Sequence, residues 1–215
     1  MSALDSKDRI REKANELFLQ YGIRSVSMDD IAASLGMSKK TIYQYFADKD
    51  ELVEAVVDSH ISQMQGDCAN CRKNARDAIH EMMMTMEMVI EQLRDMNPVV
   101  LNDLAKFHLG AYERFLEHKN KYLARVIHDN IEWGKKEGLY RREVNTDVMS
   151  RFRLESMMIP FNISLFPPGK FNLAATSAQI IEHFVYGLAT VKGHRLIQKY
   201  KQDKKSTSHD KKLVS

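Results

Sequence analysis

The stretch MSKKTIYQYF places two lysines, hydroxyl groups and an amide within a few residues of one another. Ile42 and Phe46 are four positions apart, so a short helix here would bury both on one face. On a helical wheel, polar side chains fall on the opposite face and its flanks: Lys40, Thr41, Tyr43 and Gln44. Such groups can bond phosphate oxygens and base edges, and a tyrosine ring can pack on a thymine methyl group. We therefore expect this face to bind a double-stranded nucleic acid.

Neighbouring elements should position that short helix. Apolar residues recur at helical spacing over 7–21, and Gly22 follows as a helix-ending glycine. Ser27 is placed to cap a second helix that ends at Gly36, and Ser38 to cap the third. Two short helices joined by a glycine-containing turn and braced by a preceding helix form a helix-turn-helix. The alternative is a solvated polar face, because this geometry also occurs in proteins that bind no DNA.

The residues SMDDIAASLGMSKKTIYQYFADKDELVEAV also carry a family resemblance. They closely resemble the DNA-binding segment of TetR-type transcriptional regulators, through residues that match in order and spacing: Ile31, Ala32, Gly36, Tyr43, Phe46, Lys49 and Leu52. The resemblance implies an all-α homodimer whose N-terminal heads bind a palindromic operator in double-stranded DNA. It further implies a helical C-terminal domain that senses a small-molecule effector, and most simply a repressor. Position 40 departs from the family, which often has glycine where this chain has Lys40.

The resemblance, together with the exposed face of the third helix, assigns the DNA contacts. Lys39 and Lys40 would reach bases or the groove, and Ser27 and Lys49 would meet phosphates. Asp29 is instead interpreted as an acid that stabilises the start of helix two. The complete predicted set is Ser27, Lys39, Lys40, Thr41, Tyr43, Gln44, Tyr45 and Lys49.

The rest of the chain predicts further helices. Among 215 residues, glycine (9) and proline (4) are scarce, and no alternating apolar pattern typical of strands is present. We predict a DNA-binding domain at 1–50, a helical sensing and dimerisation domain at 51–200 and a charged flexible tail at 201–215. About nine helices are expected, over 7–21, 28–35, 39–46, 48–65, 72–94, 98–108, 112–137, 145–161 and 173–191.

A methionine cluster suggests where an effector would bind. Six of the 13 methionines lie between Met82 and Met96, and methionine adapts to ligands of varied shape. The alternative is ordinary core packing. Glu87 lies on the same helix face as these apolar residues, where a carboxylate is costly unless it is paired. Its partner would be a cation such as His60 or Lys119, or a bound ligand. The predicted effector contacts are His60, Met64, Met83, Met86, Glu87, Phe115 and Trp133.

Apolar residues of the last two predicted helices could pair with their copies across a two-fold axis. Burial within one subunit is the alternative, and the family resemblance favours dimerisation. The predicted interface residues are Phe152, Ile159, Ile181, Phe184 and Leu188.

Several other functions are disfavoured. Neither a signal peptide nor a membrane span is evident, so we expect a cytoplasmic protein, associated with the nucleoid when bound to DNA. Cys68 and Cys71 form a C-x-x-C pair near His80 that could bind metal or change redox state, but no second ligand pair follows at zinc spacing, so neither metal nor cofactor is expected. No catalytic motif is found, and we expect no enzyme. The remaining alternative is a DNA-binding or adaptor protein without an effector.

Overall fold

The computed structural model describes the backbone of residues 3–213 and the side chains of residues 6–203. Two segments have other helical geometry: His118–Leu123 is a π-helical turn and Ile159–Phe161 is a 3-10 turn. The all-α prediction is confirmed. In chain order the α-helices are α1 (Ala3–Tyr21), α2 (Met28–Leu35), α3 (Lys39–Tyr43), α4 (Lys49–Asn74), α5 (Ala78–Leu93), α6 (Val99–Phe107), α7 (Leu109–Glu117), α8 (Ala124–Lys136), α9 (Thr146–Ser156), α10 (Leu173–Leu188) and α11 (Val191–Leu213).

The first three helices and the start of α4 enclose one apolar core, which we call the head core. Its fully buried members include Ile10, Ile31, Ile42, Phe46 and Leu52. Leu104 of α6 and Ala111 of α7 belong to the same cluster. The head is therefore packed against helices that the sequence assigned to the sensing domain.

Local signals fix the start and the end of the head helices. Gly22 has a φ of +85°, a conformation that residues with a Cβ rarely adopt, and it ends α1 as predicted. Ser27 caps α2 in a reciprocal arrangement with Asp30, in which each residue's backbone N–H is bonded by the other's side chain. These caps let α2 follow α1 after a short turn.

A second core lies between α5, α8 and α10, in which α5 packs against both of the other helices. Tyr140 is fully buried there, and its ring lies where a side chain at position 134 would be, so Gly134 is needed for close packing. The Tyr140 hydroxyl donates to the Asn130 side-chain oxygen at 3.2 Å. None of its members belongs to α1, α2 or α3.

Among the helix limits that differ from the prediction are the end of α4, the start of α5 and the end of α11. Helix α4 continues through Gly66 because burial of Cys68 and Cys71 further along stabilises it, and a helical glycine costs only about 1 kcal/mol relative to alanine. Helix α5 starts at Ala78 because Asp77 caps it, accepting from the His80 N–H at 2.9 Å. The backbone stays helical to Leu213, where the sequence predicted a flexible tail from residue 201, and residues 214–215 lie outside the described range.

Candidate nucleic-acid interface and internal cavity

Helix α3 has one buried face and one exposed face. Ile42 is 0% exposed and anchors the helix in the head core, whereas the Tyr43 side chain is 43% exposed. Lys39, Lys40 and Gln44 are also exposed. Thr41 and Tyr45 are half-buried at the edges. The predicted polar face therefore lies on the molecular surface.

The helix is shorter than predicted but well capped. Ser38 accepts from the Thr41 backbone N–H at 3.1 Å, and the two hydroxyls are hydrogen-bonded at 2.8 Å. Regular α-helix ends at Tyr43, and Gln44 and Tyr45 continue as a turn, with the Tyr45 N–H bonded to the Ile42 carbonyl at 3.0 Å. The turn follows because Phe46 must reach the head core just before α4 begins. Gln44 and Tyr45 are thus presented by a turn at the end of α3.

The two adjacent lysines have different surroundings. The Lys39 ammonium pairs with the Asp29 carboxylate at 2.8 Å, and this hydrogen bond raises the pKa of Lys39. Lys40 takes part in no ion pair with any residue whose side chain the structure describes. Lys40 is therefore available to an external anion without breaking an internal pair, whereas Lys39 must first leave Asp29.

Two side chains predicted to bind phosphates, Lys49 and Ser27, instead form hydrogen bonds with other residues of the head. The Lys49 ammonium donates to the Ile23 carbonyl at 2.6 Å, and burial lowers the pKa of Lys49. The Ser27 hydroxyl donates to the Asp30 carboxylate at 2.6 Å, and this bond lowers the pKa of Asp30. Both side chains therefore stabilise the turn between α1 and α2 in this structure.

Helix α6 is attached to the same turn. The Asp103 carboxylate, which is buried, accepts from the Arg24 backbone N–H at 2.9 Å. The Asn97 backbone N–H donates to the Leu19 carbonyl at 2.7 Å. A helix of the sensing region thus holds the end of α1 directly.

A partly open cavity of about 230 Å³ lies between the head and the sensing region. Its wall is largely apolar and includes residues of α1 and of α4 to α10. Three of the predicted effector contacts, His60, Met64 and Phe115, lie in this wall. Burial lowers the pKa of His60, so it is neutral at physiological pH.

The other four predicted effector contacts do not line this cavity. Met83 is buried in the second core, Met86 packs against that core, and the Trp133 ring is covered by the Arg72 guanidinium at 3.9 Å. Glu87 is half-buried outside the wall, and Lys119 pairs with Glu155 at 2.7 Å. Helix α5 is rotated about its axis so that a different face from the predicted one lines the cavity. That face carries Met82, Thr85, Met88, Val89 and Gln92.

The sequence analysis missed three polar groups of the cavity wall. Arg153 and Ser156 of α9 and Ser177 of α10 all line the cavity. Arg153 is only 7% exposed. The available signal was the spacing of Ser150, Arg153 and Ser156, three residues apart on a helix, which puts an arginine between two small side chains on one face.

The predicted interface residues divide into two groups. Phe152 and Ile159 are 49% and 39% exposed, whereas Ile181, Phe184 and Leu188 are at most 4% exposed. The latter three fill the core of their own subunit because α10 turns this face toward α5. This corrects the prediction for α10: those three side chains are not accessible to a second copy, and burial within one subunit was the right alternative for them.

The cysteines are free and buried on α4. Among the described side chains, no group of three or more His, Cys, Asp or Glu residues is arranged to hold a metal ion. No helix of the described part of the chain has the length and apolar character needed to span a bilayer.

The described part of the chain is an all-helical fold with a helix-turn-helix head, and comparison with known proteins shows what it is similar to. A family model described as bacterial regulatory proteins, tetR family, matches residues 10–56. A solved TetR-family regulator from Agrobacterium tumefaciens superposes with a TM-score of 0.74 at 16% identity, covering 88% of this chain and 100% of that chain. At that identity, the structural match establishes the fold alone. The N-terminal head, over residues 10–56, therefore matches the tetR family of bacterial regulators, as the sequence predicted, and the rest of the chain shares the fold of solved family members.

Two curated relatives show how far the sequence similarity reaches. The HTH-type transcriptional regulator YvaF of Bacillus subtilis is 36% identical over 108 residues, which cover 48% of this chain and 55% of that protein. The HTH-type transcriptional repressor KstR2 of Mycobacterium tuberculosis is 23% identical over 168 residues, covering 76% of this chain and 82% of that protein. The matched region thus spans little more than half the length of the Bacillus protein, and both relatives are named as regulators of transcription.

Proposed function

We propose that this protein is a ligand-responsive repressor that binds a palindromic operator as a homodimer. The observation that carries this proposal is the exposed face of α3, where Lys40, Tyr43 and Gln44 face solvent while Ile42 is buried. A helix of this kind can enter a major groove, with its cap and lysines toward phosphates. Operator binding places the protein in the cytoplasm, on the nucleoid when bound.

Dimerisation would present two such helices to one duplex. Exposed apolar side chains of α9 and the 3-10 turn, namely Val148, Phe152 and Ile159, are the surface that we assign to the two-fold interface. A face of this kind pairs with its own copy in an isologous dimer. Two heads related by a two-fold axis would read the two halves of an inverted repeat.

Effector binding in the cavity would act on the head through α6. Val100, Leu101 and Leu104 of α6 lie in the cavity wall, and Asp103 of the same helix holds the Arg24 N–H. A ligand that displaces α6 therefore displaces the turn between α1 and α2. The ligand favours release from DNA if it binds the displaced arrangement more tightly than the operator-bound one.

Selection from a randomised duplex pool at low ionic strength tests operator binding. We expect an inverted repeat, bound with an affinity that falls steeply with salt as counterions are released. Tyr43→Ala should weaken binding roughly tenfold or more with unchanged helical circular dichroism, because it removes a groove contact but no core residue. The matched control is Lys73→Ala, an exposed lysine at the far end of α4. A folded protein that enriches no sequence would refute the proposal.

The cavity also favours an effector over the alternative of a regulator without one. A screen of small molecules for loss of operator binding distinguishes the two. If every compound that binds the protein leaves its operator affinity unchanged, the ligand-responsive part of the proposal fails while DNA binding stands.

A further inference from the structure

We propose that the effector is an amphipathic carboxylate, whose anionic head binds Arg153 and Ser177 and whose apolar body fills the rest of the cavity. This inference rests on the proposed function, since it assigns a chemical class to the ligand of that cavity.

Arg153 is a buried cation without a matching anion. Within the described part of the chain, no carboxylate lies within 4.0 Å of its guanidinium. Its hydrogen-bond partner is the Ser156 hydroxyl at 3.4 Å, and its guanidinium carbon lies 6.0 Å from the centre of the Phe184 ring. Burial lowers the pKa of Arg153 to about 10, so the group remains charged at neutral pH. A desolvated charge of this kind is unfavourable until an anion neutralises it.

The neighbouring acid on the same helix is used elsewhere. Glu155 bonds Lys119 at 2.7 Å and its side chain is largely exposed. Helical geometry places residues two apart on different faces, so Glu155 faces away from Arg153. An external anion is therefore the simplest partner for Arg153.

A second unsatisfied group points to the same ligand. The Ser177 hydroxyl is buried in the cavity wall and has no hydrogen-bond partner among the described residues. A hydroxyl can donate to a carboxylate oxygen, and a guanidinium offers two parallel N–H donors to the same group. The Ser156 hydroxyl is already committed, since it donates to the Arg153 carbonyl at 2.8 Å.

The rest of the wall defines the ligand body. Arg153 is the only lysine or arginine among the described lining residues. Methionine, leucine, isoleucine and valine side chains make up most of the remainder. The volume of about 230 Å³ is below the ~300–1,000 Å³ of most small-molecule sites, which suits a compact ligand with a single charged head.

Calorimetric titration with sodium octanoate tests the inference, with 1-octanol as the neutral probe of equal chain length. We expect octanoate to bind the wild-type protein about tenfold or more tightly than octanol. Arg153→Met should remove that preference while octanol still binds. It should also raise the thermal midpoint of the ligand-free protein, because an uncompensated charge is removed.

Two further variants make the result specific. Ser177→Ala should weaken octanoate several-fold without changing octanol. Arg151→Gln, which changes an exposed arginine on the same helix, should change neither. Equal affinity for the two probes, or an octanoate preference that survives in a folded Arg153→Met variant, would overturn the carboxylate assignment.

Operator release, measured separately, distinguishes this inference from the proposed function. If octanoate binds through Arg153 but leaves operator affinity unchanged, the anion site stands and its role as the effector site fails. If an uncharged or cationic compound releases the operator and octanoate does not bind, the effector role stands and the carboxylate assignment fails.

Discussion

Lys49 and Asp103 hold opposite sides of one peptide group in the turn between α1 and α2. The Lys49 ammonium donates to the Ile23 carbonyl at 2.6 Å, and the Asp103 carboxylate accepts from the Arg24 N–H at 2.9 Å. In a trans peptide these two groups point in opposite directions, so α4 and α6 approach the turn from different sides. This peptide is the point at which cavity-lining helices are bonded to the head.

Removal of the Asp103 carboxylate should weaken that attachment. Asp103→Ala removes a hydrogen bond that the Arg24 N–H makes to a charged carboxylate, and we expect the free energy of unfolding to fall by about 1–3 kcal/mol in urea denaturation. Asp103→Asn keeps an oxygen acceptor and should lose less. The control is Asp95→Ala at an exposed position. Equal stability of the Ala and wild-type proteins would contradict the role given to Asp103.

A pair of glycine substitutions tests the packing of the second core. An alanine Cβ at position 134 would lie 2.0 Å from Tyr140 Cδ2, so Gly134→Ala must displace a fully buried ring. We expect a loss of about 1–3 kcal/mol, measured by urea denaturation. Gly66→Ala has open space around it in the middle of α4 and should gain about 0.5–1 kcal/mol. The same sign for both variants would show that this contact does not constrain the core.

Two buried histidines should make stability depend on pH. Burial lowers the pKa of His60 and His118, and their mutual repulsion lowers that of His118 further. An unfolded histidine has a pKa of about 6.5, so the unfolded state takes up protons first as the pH falls. The free energy of unfolding should therefore be level between about pH 7 and 8 and decline below about pH 6.5.

Single substitutions can show which histidine causes the fall in the free energy of unfolding. His60→Gln should flatten the dependence between about pH 7 and 5, when urea midpoints are compared across that range. His183→Gln, at an exposed position, is the control. A slope that is unchanged in His60→Gln would mean that other groups cause the dependence.

The C-x-x-C thiols should react slowly in the native protein. Burial raises the pKa of Cys68 to about 11 and also raises the pKa of Cys71, which leaves little thiolate at neutral pH. With an aromatic disulfide reagent at pH 8, we expect modification roughly a hundredfold slower than in urea. Rapid native reaction of either thiol would instead indicate an accessible, activated cysteine and revive a redox role.

Much of the head could be predicted because its signals are local. Ser27 and Ser38 cap helices, Gly22 and Gly36 adopt positive φ at helix ends, and Ile42 faces inward with its helix. Each of these depends on residues a few positions apart, which the sequence displays directly. The roles of Lys49 and Ser27 in this structure were less predictable, because the Lys49 partner, Ile23, is 26 residues away.

The amino-acid sequence by itself determined the helical class, the helix-turn-helix and the exposed polar face of α3, since caps and four-residue spacing act within one or two turns. Only the tertiary structure decided which face of α5 lines the cavity, that α10 buries Phe184 in its own subunit, and that Arg153 and Ser177 line the same cavity. Those outcomes depend on how helices far apart in the chain rotate and pack against one another. An apolar stripe on a helix specifies burial but not the partner that buries it.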